Sequence, residues 1–262
     1  MTRSESDGRA STETGRLAGE TVVVTGASRG LGASMAKRFV REGANVVLTA
    51  RGEADLRAVA DEVADAPGET LVVPADVTDE AAVEALVARS LETFGEVTGL
   101  VNNAGIGMLS LYDEKREILE VDLEDWEAIL SVNLTGVFLC VKHAVPSMID
   151  AGGGNVINVS SGLGRRASAG WGPYVASKWG LEGFTRTLAD EVADDGVNVN
   201  CLDPGGRVET RFWDHLPESE RDGVLEPDVM DEAATRLLAQ GPDGITRESL
   251  AAEKWEKRLD EA

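Results

Sequence analysis

The chain contains few residues of the kinds that bind metals or form disulfides. Among its 262 residues are two cysteines, Cys140 and Cys201, and two histidines, His143 and His215. Both cysteines lie in apolar segments far apart in the sequence, which predicts buried free thiols. The histidines have no ligand-like spacing to either cysteine, so the pattern predicts no structural metal site.

Lysine is also scarce, and positive charge is outnumbered. The chain has 25 lysines and arginines against 47 aspartates and glutamates, which gives a formal net charge of −22. Such a surface repels phosphate backbones and disfavours nucleic-acid binding. An acidic, lysine-poor composition is expected in a cytoplasm with molar salt, where screening makes a high charge tolerable. The alternative is an acidic protein that its charge keeps soluble in dilute buffer.

Long apolar runs and targeting segments are missing as well. No apolar run is expected to be long enough to span a bilayer, and the N-terminus lacks the apolar core of a signal peptide. Residues 1–18 are rich in Ser, Thr, Gly and charge, which predicts a flexible tail before a single domain at 19–262. We therefore expect a cytoplasmic protein with no membrane contact.

Strand-like and helix-like patterns alternate along almost the whole chain. The strand-like runs lie at 21–25, 45–50, 70–74, 98–102, 154–160, 197–202 and 245–250, and the helical patterns at 30–42, 53–65, 79–94, 123–149, 174–194 and 228–239. Asp79 is a plausible N-cap and Gly43 a plausible C-cap. Nearly continuous Val, Ile and Leu in the first six strands indicate a parallel sheet covered on both faces. The pattern predicts an α/β protein with a doubly wound sheet.

A glycine-rich turn connects the first strand to the first helix. In the segment TGASRGLG it contains Gly26, Ser28, Arg29, Gly30, Leu31 and Gly32. Glycines let the backbone approach a pyrophosphate closely, and the helix N-terminus then faces the anion. The spacing is G-x-x-x-G-x-G rather than G-x-G-x-x-G. Its position between the first strand and the first helix favours dinucleotide binding over a purely structural turn.

The end of the second strand bears on which dinucleotide binds. Sites that take NAD usually place an acid there, against the ribose 2′-hydroxyl. Here the strand ends Thr49, Ala50, Arg51, with no acid at its tip. Arg29 and Arg51 are suited to clamp a 2′-phosphate, unless both are ordinary solvated charges. We expect NADP(H) to be favoured, with NAD(H) as the alternative.

A tyrosine–lysine pair points to the chemistry. Tyr174 and Lys178 lie four residues apart in a helical pattern and share a face, and Ser161 lies thirteen residues before the tyrosine. A neighbouring lysine favours the phenolate, which predicts a tyrosine pKa lowered toward neutral pH and a role in general acid–base catalysis. Because such pairs also occur by chance on surface helices, the assignment depends on the other segments.

Together these segments resemble the short-chain dehydrogenase/reductase family over about residues 20–250. Besides the glycine turn and the Tyr174–Lys178 pair, the matching pieces are Asp76 and Val77 in PADVTD, NNAG at 102–105, Asn133 in SVNLTG, Ser161 in INVSSG, and Pro204 with Gly205. The resemblance implies a single Rossmann-type domain with a seven-stranded parallel sheet. It also implies an NAD(P)-dependent oxidoreductase that transfers a hydride between nicotinamide and a carbonyl or secondary alcohol.

The resemblance implies a role for each matching residue. Tyr174 would exchange a proton with the substrate oxygen, Ser161 would hydrogen-bond that oxygen, and Lys178 would bind the nicotinamide ribose and lower the tyrosine's pKa. Asn133 would anchor a water that links Lys178 to solvent, unless its amide only satisfies a neighbouring backbone group; Ser160 competes with Ser161. The other implied cofactor contacts, beside the turn and Arg51, are Asp76, Val77, Asn103, Ala104, Gly105, Pro204, Gly205 and Val208.

The chain departs from the family pattern near the expected substrate site. Thr210 falls one place later than usual, the segment before Asn133 is enlarged, and the last strand reads Ile245, Thr246, Arg247 in place of the usual Thr-Gly pair. We expect a substrate lid at about 206–226. The candidate walls of the substrate site are Trp171, Phe212, Trp213 and His215, unless these only pack the lid onto the core. Arg165 and Arg166 either attract an anionic substrate or are solvated.

Three functions remain open from the sequence. The first is an NADP(H)-dependent carbonyl reductase or alcohol dehydrogenase, with a 3-oxoacyl-thioester reductase as the specific hypothesis. The second is a sugar or polyol dehydrogenase. The third is a non-catalytic dinucleotide-binding sensor, which would typically have lost the tyrosine or the lysine that this chain keeps.

Assembly is the last expectation. The helices at 123–149 and 174–194 are apolar beyond one stripe and need cover on more than the sheet side. The family resemblance suggests that they pair across subunits in a homodimer or homotetramer, whereas the alternative is cover by the chain's own termini. The C-terminal segment AAEKWEKRLDEA reads as a short amphipathic helix over a neighbouring subunit.

Overall fold

A parallel sheet of seven strands organises the protein. The computed structural model describes residues 15–112, 114–209 and 223–261. The strands are β1 (Thr21–Thr25), β2 (Asn45–Thr49), β3 (Thr70–Val72), β4 (Gly99–Asn102), β5 (Gly154–Val159), β6 (Val197–Asp203) and β7 (Ser249–Ala251). Their order is β3-β2-β1-β4-β5-β6-β7, and all neighbouring strands are parallel. The predicted seven-stranded, doubly wound sheet is confirmed.

Helices cover both faces of the sheet. They are α1 (Gly30–Arg41), α2 (Glu53–Asp61), α3 (Glu80–Phe94), α4 (Met108–Leu111), α5 (Leu123–Leu130), α6 (Gly136–Asp150), α7 (Gly172–Glu191), α8 (Asp231–Leu238) and α9 (Ala252–Asp260). One apolar core lies between the sheet and α1, α2, α8 and α9, and the other between the opposite face and α3, α6 and α7. In β1, Val22 and Val24 enter the first core and Val23 the second. Burial on both faces explains why the strands read as continuous apolar runs.

The order of the strands creates the crevice in which the site lies. β1 pairs with β2 on one side and with β4 on the other, so successive connections leave the sheet in opposite directions at this point. In open α/β sheets the crevice at such a switch point, outside the carboxyl ends of the strands, is where ligands bind. The glycine-rich turn after β1 and the segment after β4 meet there.

Local signals fix several helix ends as expected. The Asp79 carboxylate accepts hydrogen bonds from the backbone N–H groups of Ala81 and Ala82, at 3.0 and 3.4 Å, so the predicted N-cap of α3 is confirmed. Gly43 follows the cap of α1 with a φ of 90°. The left-handed conformation favours glycine at this position.

The predicted helix at 123–149 is interrupted. A π-helical turn, Ser131–Thr135, separates α5 from α6 and includes Asn133. The stretch Leu123–Asp150 is long and apolar enough to cross a membrane by length and composition, contrary to our expectation for the sequence. Half of its most apolar window is buried, and residues such as Leu139 and Met148 lie in the second core. In this fold the stretch packs as a core helix.

The seventh strand is shorter and later than predicted. β7 begins at Ser249, because the chain before it is bonded to the flank of β6 in an irregular conformation. Thr246 Oγ1 accepts from the backbone N–H of Val199, and the Asn200 side chain donates to the Ile245 carbonyl and accepts from Glu248 N–H. Arg247 has a φ of 70°, which breaks the extended run. The prediction of a strand over 245–250 is therefore wrong at its first four residues.

Both ends of the described chain pack on the domain. Arg16, within the predicted tail, is paired with Glu42 at 2.8 Å and Glu232 at 2.7 Å, and Leu17 is fully buried. The prediction of a flexible tail is thus wrong for residues 15–18, because the burial of Leu17 and the ion pairs of Arg16 with two glutamates hold them on the domain. At the other end Trp255 of α9 is fully buried and its Nε1 donates to the Cys201 carbonyl at 2.9 Å. The C-terminal helix covers its own sheet.

Candidate active site

A large cavity of about 970 Å³ lies at the carboxyl ends of the strands. It contains most residues that the sequence assigned to a site, and these lining residues are Gly26, Ser28, Arg29, Gly30, Leu31, Arg51, Asp76, Val77, Asn103, Ala104, Gly105, Ser161, Tyr174, Lys178, Pro204 and Val208. Three predicted site residues do not line it, namely Gly32, Asn133 and Gly205. The cavity therefore joins the expected cofactor and catalytic positions in one space.

The glycine turn is shaped for close contact. Gly26 has a φ of 65°, and a Cβ there would lie 2.9 Å from both the Ala104 Cα and the Asn103 Nδ2. A Cβ on Gly32 would lie 2.3 Å from the same Nδ2, so Gly32 serves helix–turn packing rather than the cavity wall. α1 begins at Gly30 without an acidic residue in its first turn. Its N-terminal N–H groups and dipole therefore suit an anion in the cavity.

The segment after β4 is locked to this turn by hydrogen bonds. Asn103 Nδ2 donates to the carbonyls of Thr25 at 2.9 Å and Gly26 at 3.1 Å. Thr25 Oγ1 accepts from the backbone N–H groups of Asn103 and Ala104, both at 3.0 Å. These bonds explain the N-N-A-G pattern physically, because the Asn103 side chain replaces missing backbone partners at the end of a strand.

One end of the cavity carries the charges that bear on the dinucleotide. Arg29 and Arg51 line it, and Ala50 occupies the tip of the strand where an acid would contact a ribose hydroxyl. Asp55, on the first turn of α2, lines the same end and was not predicted. Asp76 accepts from Thr78 N–H at 3.0 Å and Thr78 Oγ1 at 2.7 Å. These bonds outweigh burial and, with the charge of Arg51, hold the pKa of Asp76 below its usual value.

The other end holds the tyrosine and its partners. Tyr174 and Lys178 lie on successive turns of α7, and Lys178 Nζ lies 5.7 Å from the centroid of the Tyr174 ring. The Tyr174 hydroxyl is hydrogen-bonded to Ser161. Lys178 Nζ donates to the carbonyl of Val159, the last residue of β5, at 2.8 Å. β5 thus fixes both the serine and the lysine around the phenol.

Burial dominates the ionisation of this pair. It raises the pKa of Tyr174 to about 12, and the hydrogen bond from Ser161 only partly opposes it. Burial also lowers the pKa of Lys178 to about 8, against the opposite influence of Cys201 and Glu182. The expectation of a tyrosine pKa lowered toward neutral pH is therefore wrong for the protein alone. At neutral pH Tyr174 holds its proton and can donate it to an acceptor in the cavity.

Ser161 and Ser160 have separate environments. Both serines line the cavity, but Ser161 is hydrogen-bonded to Tyr174, whereas the Oγ of Ser160 donates to Glu182 Oε1 at 2.6 Å. The geometry therefore places Ser161, and not its neighbour, beside the phenol. Glu182 was not predicted. The signal was present, because it follows Tyr174 and Lys178 at the next four-residue step along the same face of α7.

Asn133 lies behind the cavity wall and is fully buried. Its Oδ1 accepts from the backbone N–H of Ile106 at 2.9 Å, and its Nδ2 donates to the Ile106 carbonyl at 2.8 Å and to Ser177 Oγ at 3.0 Å. Ser177 Oγ in turn donates to the Tyr174 carbonyl at 2.8 Å. The amide satisfies a neighbouring backbone and ties the π-helical turn to α7. A water relay through this residue stays a prediction.

Apolar side chains form much of the substrate end of the cavity among the described residues, beside Ser110 and Ser131. Leu109, Leu111, Leu163 and Trp171 line it, and the Trp171 ring meets that of Tyr174 edge-on at a centroid distance of 5.8 Å. Arg165 does not face this space as an anion site, because it is paired with buried carboxylates. Thr210, Phe212, Trp213, His215 and most of the predicted lid lie outside the described residues.

The turn after β6 closes the cavity near the phenol. Pro204 and Val208 line it, and Val208 forms a bridge with Leu225. Gly205 has a φ of 81° and donates its N–H to Asp203 Oδ1 at 2.8 Å, so its role is in the turn itself. Among the described residues no group of three or more His, Cys, Asp or Glu side chains is suited to hold a metal ion.

Proteins with similar sequences are named as dehydrogenases of alcohols and reductases of carbonyl compounds. The chain is 38% identical over 222 residues to the 2,5-dichloro-2,5-cyclohexadiene-1,4-diol dehydrogenase LinX of Sphingobium indicum, covering 85% of this chain and 82% of the relative. It is 35% identical over 210 residues to a 3-oxoacyl-acyl-carrier-protein reductase of Thermotoga maritima, covering 80% and 82%.

Solved structures share the whole fold. A metagenomic short-chain oxidoreductase in complex with NADP superposes with a TM-score of 0.77 at 33% identity, covering 90% of this chain and 97% of the other. Carveol dehydrogenase from Mycobacterium avium in complex with NAD gives a TM-score of 0.84 at 26% identity, covering 91% and 97%. The sequence model of the short chain dehydrogenases matches residues 20–221. With its parallel sheet, glycine turn and Tyr174–Lys178 pair, this chain belongs to the short-chain dehydrogenase/reductase family of oxidoreductases that act on alcohol and carbonyl groups.

Proposed function

We propose that this protein is an NADP(H)-dependent reductase of carbonyl compounds and, in the reverse direction, a dehydrogenase of secondary alcohols. One observation carries the proposal. A protonated Tyr174, hydrogen-bonded to Ser161 and followed by Lys178, faces a cavity that also contains the glycine turn. A non-catalytic sensor would have no need for this arrangement.

The chain's own residues perform the proton chemistry. Ser161 holds the substrate oxygen beside Tyr174, and the phenol gives that oxygen its proton. Lys178 supplies a buried positive charge beside the phenol, which favours the phenolate that remains. Asn133 holds the backbone of α7 through Ser177. When bound, NADP(H) supplies or accepts the hydride.

Charge at the cofactor end supports NADP(H) over NAD(H). Arg29 and Arg51 line the cavity where a 2′-phosphate would lie, and Ala50 leaves the strand tip without an acid. Guanidinium groups form charge-assisted pairs with the 2′-phosphate of NADP(H). The adenosine of NAD(H) lacks this phosphate and cannot form such pairs. A related structure holds NADP and another holds NAD, so the family accommodates both cofactors.

The apolar wall favours a hydrophobic carbonyl substrate. Leu109, Leu163 and Trp171 offer surface to apolar groups, whereas Ser110 and Ser131 are few polar groups for the several hydroxyls of a sugar. Cyclic apolar alcohols are named for a related sequence and a related structure. The acyl chain of a 3-oxoacyl thioester also suits this wall, and one relative is named for that reaction. A sugar or polyol is the disfavoured substrate.

The proposal is tested by a substrate panel with purified protein. We expect NADPH oxidation with cyclic ketones or acetoacetyl thioesters, and a kcat/KM at least about tenfold lower with aldoses of similar size, since unpaired hydroxyls are costly against an apolar wall. Equal or better turnover of aldoses would overturn the substrate class. Absence of turnover on every carbonyl, with NADPH bound, would overturn the enzymatic proposal.

We also propose a cytoplasmic homodimer or homotetramer. Leu123 of α5, Phe138 of α6 and Trp179 of α7 are 70%, 47% and 53% exposed, which leaves apolar side chains on the helices predicted to pair. An exposed apolar patch of this kind favours a contact with another copy. Membership of the short-chain dehydrogenase/reductase family supports the proposed location.

A further inference from the structure

Two buried carboxylates and a partly exposed arginine form a cluster behind the catalytic end of the cavity. We call it the Arg165 cluster, and its members are Ser160, Arg165, Glu182, Asp203 and Ser249. Glu182 Oε1 accepts hydrogen bonds from Ser160 Oγ at 2.6 Å, Arg165 Nη1 at 3.1 Å and Ser249 Oγ at 2.8 Å. The Glu182 side chain is only 4% exposed. A carboxylate so buried needs these partners.

Arg165 joins two buried acids. Its Nη2 is bonded to Asp203, whose side chain is 2% exposed, while its Nη1 is bonded to Glu182. Asp203 Oδ1 also accepts from the backbone N–H of Gly205 at 2.8 Å. Removal of the arginine would leave two buried carboxylates with fewer partners.

The cluster connects the two loops that flank the reacting atoms. Ser160 and Arg165 lie on either side of Ser161 in the turn after β5, so Glu182 holds that turn at both ends. Asp203 and Gly205 form the turn after β6, which contributes Pro204 to the cavity. The turn after β5 is tightly packed, because a Cβ on Gly164 would lie only 2.8 Å from Ser160 Oγ.

The cluster also determines part of the charge near the phenol. The groups that face Tyr174 are Ser161 in the turn after β5, Lys178 on the same helix and Asp203 in β6. Glu182 and Cys201 face Lys178. The negative charge of Asp203 disfavours the tyrosinate and adds to the effect of burial. Arg165 is the guanidinium that offsets this charge.

We propose that Arg165 is a positioning residue, which fixes the Ser161 turn to the turn after β6 through Glu182 and Asp203 and offsets the charge of Asp203 behind Tyr174. The inference rests on the proposed function for its kinetic consequences. It does not rest on it for the ionisation of Tyr174. A charged anchor suits this place because it fixes two backbones at defined distances, which apolar contacts do less specifically.

Direct titration of Tyr174 tests whether Arg165 offsets the charge of Asp203. The chain has two tyrosines, so Tyr112→Phe leaves Tyr174 as the sole source of tyrosinate absorbance. In that background we expect Asp203→Asn to lower the titration midpoint by about one pH unit and Arg165→Met to raise it. The double variant Arg165→Met with Asp203→Asn should return within about half a unit of the parent. Arg166→Met, an exposed neighbour in the same loop, is the matched control and should leave the midpoint unchanged.

Steady-state kinetics test whether Arg165 positions the Ser161 turn for the reaction. We expect Arg165→Met to lower kcat/KM for ketone reduction about 10- to 100-fold, and to shift the pH profile of alcohol oxidation upward. Arg165→Lys keeps the charge and should keep the pH profile while losing rate. If Arg165→Met does not fold, Asp203→Asn and Arg165→Lys decide the matter alone.

The outcomes separate this inference from the proposed function. Unchanged midpoints in Arg165→Met and Asp203→Asn, or a parental rate and pH profile in folded Arg165→Met, would overturn it. If Arg165→Met does not fold, an unchanged midpoint in Asp203→Asn or a parental rate in Arg165→Lys would do so. A wild-type protein that reduces no carbonyl, but whose Tyr174 titrates as predicted, would overturn the proposed function and leave the electrostatic assignment intact.

Discussion

At the scale of single residues, environment decides which proton state Tyr174 holds. Burial raises the pKa of its phenol to about 12 and lowers that of Lys178 to about 8. A phenol that keeps its proton at neutral pH suits donation to a carbonyl. For alcohol oxidation Tyr174 must first lose that proton, so rising pH should favour oxidation until the phenol has titrated. The positive charge of an oxidised nicotinamide beside the phenol would move this transition to lower pH.

A substitution at Arg51 tests the cofactor preference. We expect Arg51→Asp to lower the ratio of kcat/KM for NADPH to that for NADH about 10- to 100-fold, because a charge-assisted pair contributes about 1.5–3 kcal/mol. The ratio is obtained from initial rates with one ketone and each cofactor. Arg57→Asp is the matched control, since Arg57 is an exposed residue of α2 that pairs with Glu53. An unchanged ratio in Arg51→Asp would count against NADP(H).

Much of the candidate site could be predicted at this scale. Residue types, spacing and the family resemblance together predicted Ser161, Tyr174 and Lys178, and the structure brings these three to one cavity. Burial was not visible, so the direction of the pKa shift of Tyr174 was predicted wrongly. Glu182 was missed because, apart from Arg186 four residues later, its partners come from the turn after β5 and from β7.

At the scale of elements, the sequence predicts the helices and strands better than their ends. Apolar runs locate the first six strands of the sheet, yet the start of β7 depends on hydrogen bonds of Asn200 and Thr246 that only the fold creates. The π-helical turn Ser131–Thr135 has no signal in the apolar pattern. It follows from the bonds of Asn133 to Ile106 and Ser177.

The start of α8 carries a carboxylate in a poor environment. Asp231 Oδ2 accepts from Ser34 Oγ at 2.8 Å, while its Oδ1 is buried without a hydrogen-bond partner among the described residues. Burial, with a contribution from Asp228, raises the pKa of Asp231 to about 6. Because this lies above the usual aspartate pKa of about 3.9, stability associated with the proton is present at low pH and is lost as pH rises through about 6.

Replacing this carboxylate should therefore stabilise the protein at neutral pH. We expect Asp231→Asn to increase the free energy of unfolding by about 1–3 kcal/mol at pH 8, with a smaller gain at pH 5. Urea unfolding at both pH values, at one fixed KCl concentration, measures the difference. The neighbouring Glu232→Gln should act in the opposite sense, by up to about 1 kcal/mol, because Glu232 pairs with Arg16 and Arg38. A loss of stability in Asp231→Asn at pH 8 would contradict the account.

At the scale of the whole molecule, net charge sets the conditions under which the fold is stable. A formal charge of −22 on 262 residues opposes compaction through self-repulsion. Ion pairs such as Arg16 with Glu42 and Glu232 offset a little of it at the surface. Composition alone predicts this behaviour. The fold adds that many of the basic residues are already paired with acids.

Salt should therefore stabilise this protein. Between about 0.1 M and about 3 M KCl the Debye screening length shortens to a few ångström. Because repulsion between the acidic side chains is then weaker, we expect the unfolding temperature to rise by about 10 °C, equivalent to a few kcal/mol. Thermal unfolding followed by circular dichroism gives the measurement, with light scattering at each salt concentration to report the proposed dimer or tetramer. An unfolding temperature equally high in dilute buffer would contradict adaptation to salt, and a monomer at high salt would contradict the proposed assembly.

We propose that Tyr174 transfers the proton in an NADP(H)-dependent carbonyl reduction. Tyr174→Phe removes the hydroxyl that meets Ser161 and keeps the ring that packs on Trp171. We predict that this variant binds NADPH like the wild type, in a thermal-shift titration, and that its kcat/KM for the best ketone of the panel falls about 100- to 10,000-fold. Wild-type turnover by Tyr174→Phe across the panel would contradict the claim.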